Sequence, residues 1–152
     1  MTQVLLNGKF TDEERQEFAS LFIDDGFEAG EYITKGIDPT EVVRIIFHDF
    51  NAVSFIRDFL LGKVLEATIA KTWGWVHTKK PEAEIQISFQ LKIDDDKPVI
   101  NLSVPDDAND LAAFSQDIDH LLTIEFTGSL KKGEVISIGW DNANKKIKIV
   151  RF

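Results

Sequence analysis

Between Lys71 and Pro81 the chain reads KTWGWVHTKKP, which gathers Trp73, Trp75, His77, Lys79 and Lys80 into one short span. Indoles offer broad apolar faces, while imidazole and ammonium groups offer positive charge. The stretch is therefore a candidate platform for an anionic or planar ligand. The same residues also have a plainer reading. Gly74 suits a left-handed helix cap, Lys71 complements the negative end of a helix, and Pro81 forbids continuation. On that reading the stretch is a helix exit, and the tryptophans wedge a helical layer onto a sheet.

Lys63 is the second candidate. At helical spacing it falls within a broad apolar face, beside Ile56, Phe59 and Ala67, with Glu66 three residues on. A buried lysine would have a lowered pKa and would suit a base or a Schiff-base nucleophile. A lysine lying along the surface covers the core with its stem and sends its amine to water or to Glu66. Lys63, Trp73, Trp75, His77, Lys79 and Lys80 together define the alternative in which a small molecule binds between helices and sheet.

Other chemistry is sparse. Asp117 and His120 share a helix face, but two ligands need a third from elsewhere to hold a metal. Asp94–Asp96 in DDDKP lack the alternating ligands and the glycine of a calcium loop. Cysteine is absent, which excludes disulfides, thiol nucleophiles and cysteine-zinc sites. The chain has no phosphate loop, dinucleotide fingerprint, nucleophile elbow or zinc-protease helix motif. The expectation is no metal, no cofactor and no catalytic residue.

Charge is the strongest pattern. The 152 residues carry a formal net charge of −9, which argues against generic binding to nucleic acid or to an anionic membrane surface. Residues 94–125 hold 9 acidic residues and 1 basic one, whereas residues 126–152 hold 2 acidic and 6 basic. The acidic block nominates Asp94, Asp95, Asp96, Asp106, Asp107, Asp110, Asp117 and Asp119 as a face for a basic protein partner. The basic block reads as turn residues and the protection of an edge strand. A non-catalytic interaction or regulatory protein is the favoured reading. The N-terminus shows no charged leader followed by an apolar run, so a stand-alone cytoplasmic protein is expected.

The elements that must position these residues follow from capping and periodicity. Thr11 and Glu14 form a capping box, and a helix should follow to about Asp25 and stop at Gly26. Asp38, Pro39 and Glu41 repeat the signal, and the chain then reads as helical to Trp73 with a break near Asn51. The 53–73 helix is apolar on nearly every side, which suggests burial at the centre of the helical layer or a homodimer contact. EIQISFQLKI alternates as a half-buried strand, VINLSV returns as a hairpin partner, and residues 107–121 read as a helix. TIEF, EVISIGW and KIKIVRF are further strands. The fold class is α+β in a single domain over 1–152, in the order ααα-ββ-α-βββ. Residues 1–73 are mainly helical and 82–152 mainly β. An antiparallel sheet of about four to five strands packs on the helices.

Overall fold

The computed structural model describes residues 2–31 and 42–152. Its strands are β1 (Gln3–Asn7), β2 (Glu28–Glu31), β3 (Val42–Asn51), β4 (Glu84–Lys92), β5 (Ile100–Ser103), β6 (Ile136–Asp141) and β7 (Lys146–Arg151). Its helices are α1 (Asp12–Ser20), α2 (Val53–Arg57), α3 (Leu61–Lys79), α4 (Leu111–Leu121) and α5 (Ile124–Gly128), with a 3-10 turn at Ala108–Asp110 leading into α4. The strands form one seven-stranded sheet in the order β2-β1-β3-β4-β5-β6-β7.

The sheet is mixed rather than antiparallel. β1/β2, β3/β4 and β5/β6 run parallel, and antiparallel contacts join β1 to β3, β4 to β5 and β6 to β7. Parallel neighbours need a crossover, and helices supply each one: α1, then α2 with α3, then α4 with α5. The fold is therefore three strand–helix–strand units side by side, closed by the β6–β7 hairpin.

The expected half-sheet falls short because three strands lie in the N-terminal part, which reads as mainly helical. Val42–Asn51 was expected to be a helix and is the central strand β3. Val42, Val43, Ile45 and Ile46 are β-branched, a type that packs well on a pleated surface. Apolar residues occupy both parities of this run, so no simple alternation announces it. The proposed cap at Asp38, Pro39 and Glu41 lies outside the described residues. TIEF also differs: Thr123 caps α5 by accepting from the Phe126 N–H at 3.1 Å, and the segment is helical. The first helix ends at Ser20, short of the expected Asp25, and 53–73 is divided between α2 and α3, but two local patterns hold. The Thr11–Glu14 capping box is closed by reciprocal bonds of 3.1 and 2.9 Å, and β4 buries Ile85, Ile87, Phe89 and Leu91.

One face of the sheet is covered. Val4, Leu6, Val43, Ile45, Phe47, Ile87, Phe89, Leu102 and Ile138 all point into the helical layer and are nearly inaccessible. Phe47 and Phe89 are register partners and stack at 4.5 Å. A bulge between Phe47 and Phe50, with Asp49 at φ 58°, turns Phe50 back to the same side, edge-on to Phe89.

α3 is not apolar on all sides. Its buried stripe is Leu61, Leu65, Ile69, Trp73 and Val76, while Lys63, Ala67 and Ala70 face water. Leu65 and Ile69 are fully inaccessible at its centre. The α3 stripe is buried within the monomer, while Val53, Phe59 and Leu60 of the 53–73 range are exposed. Gly62 lets α3 meet α4: a Cβ there would collide with the Ser115 carbonyl and the Asp119 carboxylate. Asp119 also accepts from the Gly62 N–H at 2.8 Å.

These packing facts give opposite expectations for two glycines on one helix. Gly62→Ala should lower unfolding free energy by about 1–3 kcal/mol through overpacking. Gly74→Ala, with nothing near its would-be Cβ, should raise it by about 0.5–1 kcal/mol from helix propensity. Urea denaturation of the two variants checks both signs.

Candidate functional site

The 71–81 stretch does not form an open platform. α3 runs through it to Lys79, so Gly74 is mid-helix and not a cap. The helix continues because Trp73, Trp75 and Val76 bury against the core and outweigh one glycine's propensity. Trp75 packs on Phe10 and Phe18 at 5.2 and 5.0 Å, and its Nε1 has no hydrogen-bond partner among the described residues. The lysines hold α1 and the chain after it. Lys71 Nζ donates to the Leu21 carbonyl and to Asp25, both at 3.0 Å, Lys79 pairs with Glu17 at 3.0 Å, and Lys80 lies 5.0 Å over the Phe10 ring. His77 is exposed. Lys63 is exposed as well. The residues of the small-molecule alternative are therefore not brought together: two lie in the core and the rest are spread over the surface or engaged with α1.

The histidines stay apart. His48 bonds Gln90 on the uncovered face of the sheet through Nδ1, while His77 and His120 are exposed on α3 and α4. Among the described residues no three His, Asp or Glu side chains gather at metal-binding distance.

The eight acidic candidates divide. Asp110 is buried, binds Lys145 at 3.1 Å and ties the start of α4 to the β6–β7 turn. Asp119 fastens α4 to α3 as described, and Asp117 is half-buried on α4. Asp107 caps the 3-10 turn through the Asn109 N–H at 2.9 Å, and Asp106 is exposed beside it. Asp94, Asp95 and Asp96 form the exposed β4–β5 turn, with Asp95 3.3 Å from Lys92. This triplet lies at the opposite end of β5 from Asp106 and Asp107.

Asp94, the first of the triplet, borders a groove of about 340 Å³ between α2, the β4–β5 turn and α5. Val53, Ile56, Ile93 and Ile124 give it an apolar lining, and Asp94 stands at its edge. Val53 and Ile124 are open to solvent. Lys97 builds one wall by donating to the Gly128 and Leu130 carbonyls at 3.0 and 2.8 Å. Arg57, also in the lining, sits 3.6 Å from Asp58.

Two residues beyond Arg57 lies the least expected residue of this region. The Leu60 N–H bonds the Phe55 carbonyl at 2.8 Å and the Phe59 N–H bonds the Ile56 carbonyl at 3.3 Å, which together make a Schellman ending to α2. Phe59 occupies its left-handed position at φ 57°, where glycine is the usual residue. A β-carbon there costs about 1–2 kcal/mol. Packing does not offset that cost, since Phe59 is 67 % exposed and Leu60 beside it 43 %. Sequence reasoning assigned both residues to a buried helix face. The local pattern does not mark this break, because Phe55, Ile56, Phe59 and Leu60 keep helical spacing through it.

Among the described residues no helix covers the other face of the sheet. Leu5, Ile46, Ser88 and Ser103 form one lateral row, and Gln3, His48, Gln90, Asn101, Ser137 and Val150 form the next, by strand register and the His48–Gln90 bond. Small side chains in the middle leave a trough of two adjoining cavities of about 340 and 380 Å³ that share Ser103, Val104 and Asp106. Arg44 lies toward one end, and Lys148 and Val150 toward the other. β7 is anchored at its far end by Arg151, whose Nη2 donates to Glu134 at 3.0 Å and to the Ser129 carbonyl at 3.2 Å, and whose Nε also bonds Glu134.

With the fold and these surfaces defined, comparison with protein-family models, curated proteins and solved structures finds no match.

The Arg151 guanidinium, followed by the Lys131 N–H, holds the Glu134 carboxyl down at about 2 from an ordinary 4.5. A depressed carboxyl stabilises the fold fully above its unfolded pKa and loses that contribution as pH falls through its folded one. The Glu134 contribution should therefore be intact above about pH 4.5 and fade toward about 2. Carboxyl-carbon NMR titration should show this low midpoint, and Arg151→Gln should return it toward the ordinary value.

Proposed function

We propose that this chain is a non-catalytic interaction or regulatory protein whose partner presents a basic segment with apolar anchors. The groove between α2 and α5 receives the anchors, and the Asp94–Asp96 turn meets the charge. The single observation that carries this reading is Phe59, a large apolar side chain kept in water on a backbone position that disfavours it. The backbone turn ends α2 and would suit glycine, so a large exposed side chain there adds strain without a packing benefit, as at surfaces held for binding. Val53 and Ile124 in the groove lining, and Leu60 next to Phe59 in the chain, are also exposed, and exposed apolar patches rimmed by charge are typical of protein contacts. A helical segment with apolar side chains on one face and lysine or arginine on the other matches such a groove.

The test separates binding from folding. Phe59→Gly removes both the side chain and the backbone strain, so its unfolding free energy should equal or exceed that of the parent by up to about 1 kcal/mol. Partners captured by the parent chain should be lost to Phe59→Gly and weakened at least tenfold by the triple Asp94→Asn, Asp95→Asn, Asp96→Asn variant, more so at low salt. If both variants retain the same proteins as the parent, the proposal fails. If Phe59→Gly is clearly less stable than the parent, Phe59 has a packing role and the carrying observation is lost.

A further inference from the structure

We infer that two copies of this chain join through the free edge of β7, in one register set by the β6–β7 ladder. Val135 and Phe152 exchange both backbone bonds, at 3.2 and 3.0 Å. In an antiparallel ladder such pairs alternate with pairs that exchange none. Ser137/Val150, Gly139/Lys148 and Asp141/Lys146 are therefore bonded pairs, whereas Ile136/Arg151, Ile138/Ile149 and Trp140/Ile147 are not. The N–H and C=O groups of Ile147, Ile149 and Arg151 consequently point away from β6. β7 is the last strand of the sheet on that side. Among the described residues no hydrogen bond is recorded to these outward groups.

An unpaired edge is a template for another strand, and its side chains select the occupant. Ile149 and Val150 are each 41 % exposed and Phe152 is 81 % exposed. If two β7 strands pair antiparallel about a two-fold axis, the outward-bonding residues must face one another. A register centred on Ile149 sets Ile149 against its own copy, Ile147 against Arg151, Lys148 against Val150 and Lys146 against Phe152. No like charges oppose, and each exposed apolar residue gains a cover. Centring on Lys148 sets that lysine against itself, and centring on Ile147 sets Lys146 against Lys148. Both arrangements are unfavourable between directly opposed positions. The Ile149 register forms about six backbone bonds, two for each facing pair. It also carries the open-face trough, walled by Lys148 and Val150, across the axis into the trough of the second copy. The inference is independent of the groove at α2 and α5, so either can fail alone.

The chain's lack of cysteine makes a clean test. Sedimentation equilibrium should show mass rising with concentration from 17.2 kDa toward twice that value. Salt should favour the larger species, because two acidic copies repel. Ile149→Cys should cross-link on oxidation, since facing bonded residues sit about 5.5 Å apart, within disulfide reach. Lys148→Cys should cross-link far more slowly. Ile149→Pro removes a donor that β6 does not use, so it should return the protein to monomer with its circular dichroism retained. A parent chain that stays at monomer mass throughout the series overturns the inference. So does cross-linking that is faster at position 148 than at 149.

Discussion

Everything in this molecule depends on keeping one face of the sheet dry. The seven strands mix parallel and antiparallel contacts, yet their inward residues stay in phase from Val4 across to Ile138. Phe47 on Phe89 marks the centre of that alignment. A one-residue slip in β3 would send Val43, Ile45 and Phe47 to water and Arg44, Ile46 and His48 into the core. The bulge at Asp49 preserves the phase locally, because without it Phe50 would face the wrong way. Helices α1, α3 and α4 then have a single surface to cover. α3 and α4 approach closely there because Gly62 and the Asp119 carboxylate replace side-chain bulk with a hydrogen bond.

That economy decides what remains outside. A sheet covered on one side leaves the second face polar and open, and a linear strand order leaves β7 with an outward row of backbone groups. The basic character of the last segment then has a location: Lys146 and Lys148 lie on the open face of the edge strand, and Arg151 anchors its end through Glu134. The acidic residues are less unified. Some are struts, as Asp110 and Asp119 are, whereas the β4–β5 triplet is exposed, with Asp95 near Lys92 and Asp94 beside an apolar groove.

The functional proposal rests on a mismatch between local and global preference. Nearly every strained or polar device in the structure has a folding purpose: Asp49 restores strand phase, Lys145 at φ 52° closes the β6–β7 turn, and Lys97 joins a turn to α5. The left-handed backbone at Phe59 ends α2, but the large exposed ring carried on it has no such purpose. Local choices that disagree with folding are where function is expected to reside.

What was legible in the sequence were the features with a short-range cause. The Thr11–Glu14 box, the alternation of β4, the helix after Asp107 and the β6–β7 hairpin each depend on residues within a few positions of one another. The absence of cysteine and the segregation of charge belong to the sequence in the same way. Tertiary contact decided the rest. Val42–Asn51 is a strand because β1 and β4 flank it on either side, and its own apolar pattern does not separate strand from helix. α3 passes Gly74 because Trp75 finds Phe10 and Phe18, sixty residues or so earlier in the chain. Whether a lysine, an aspartate or a tryptophan is a site or a strut depends on partners that distant segments supply, and no local spacing encodes them.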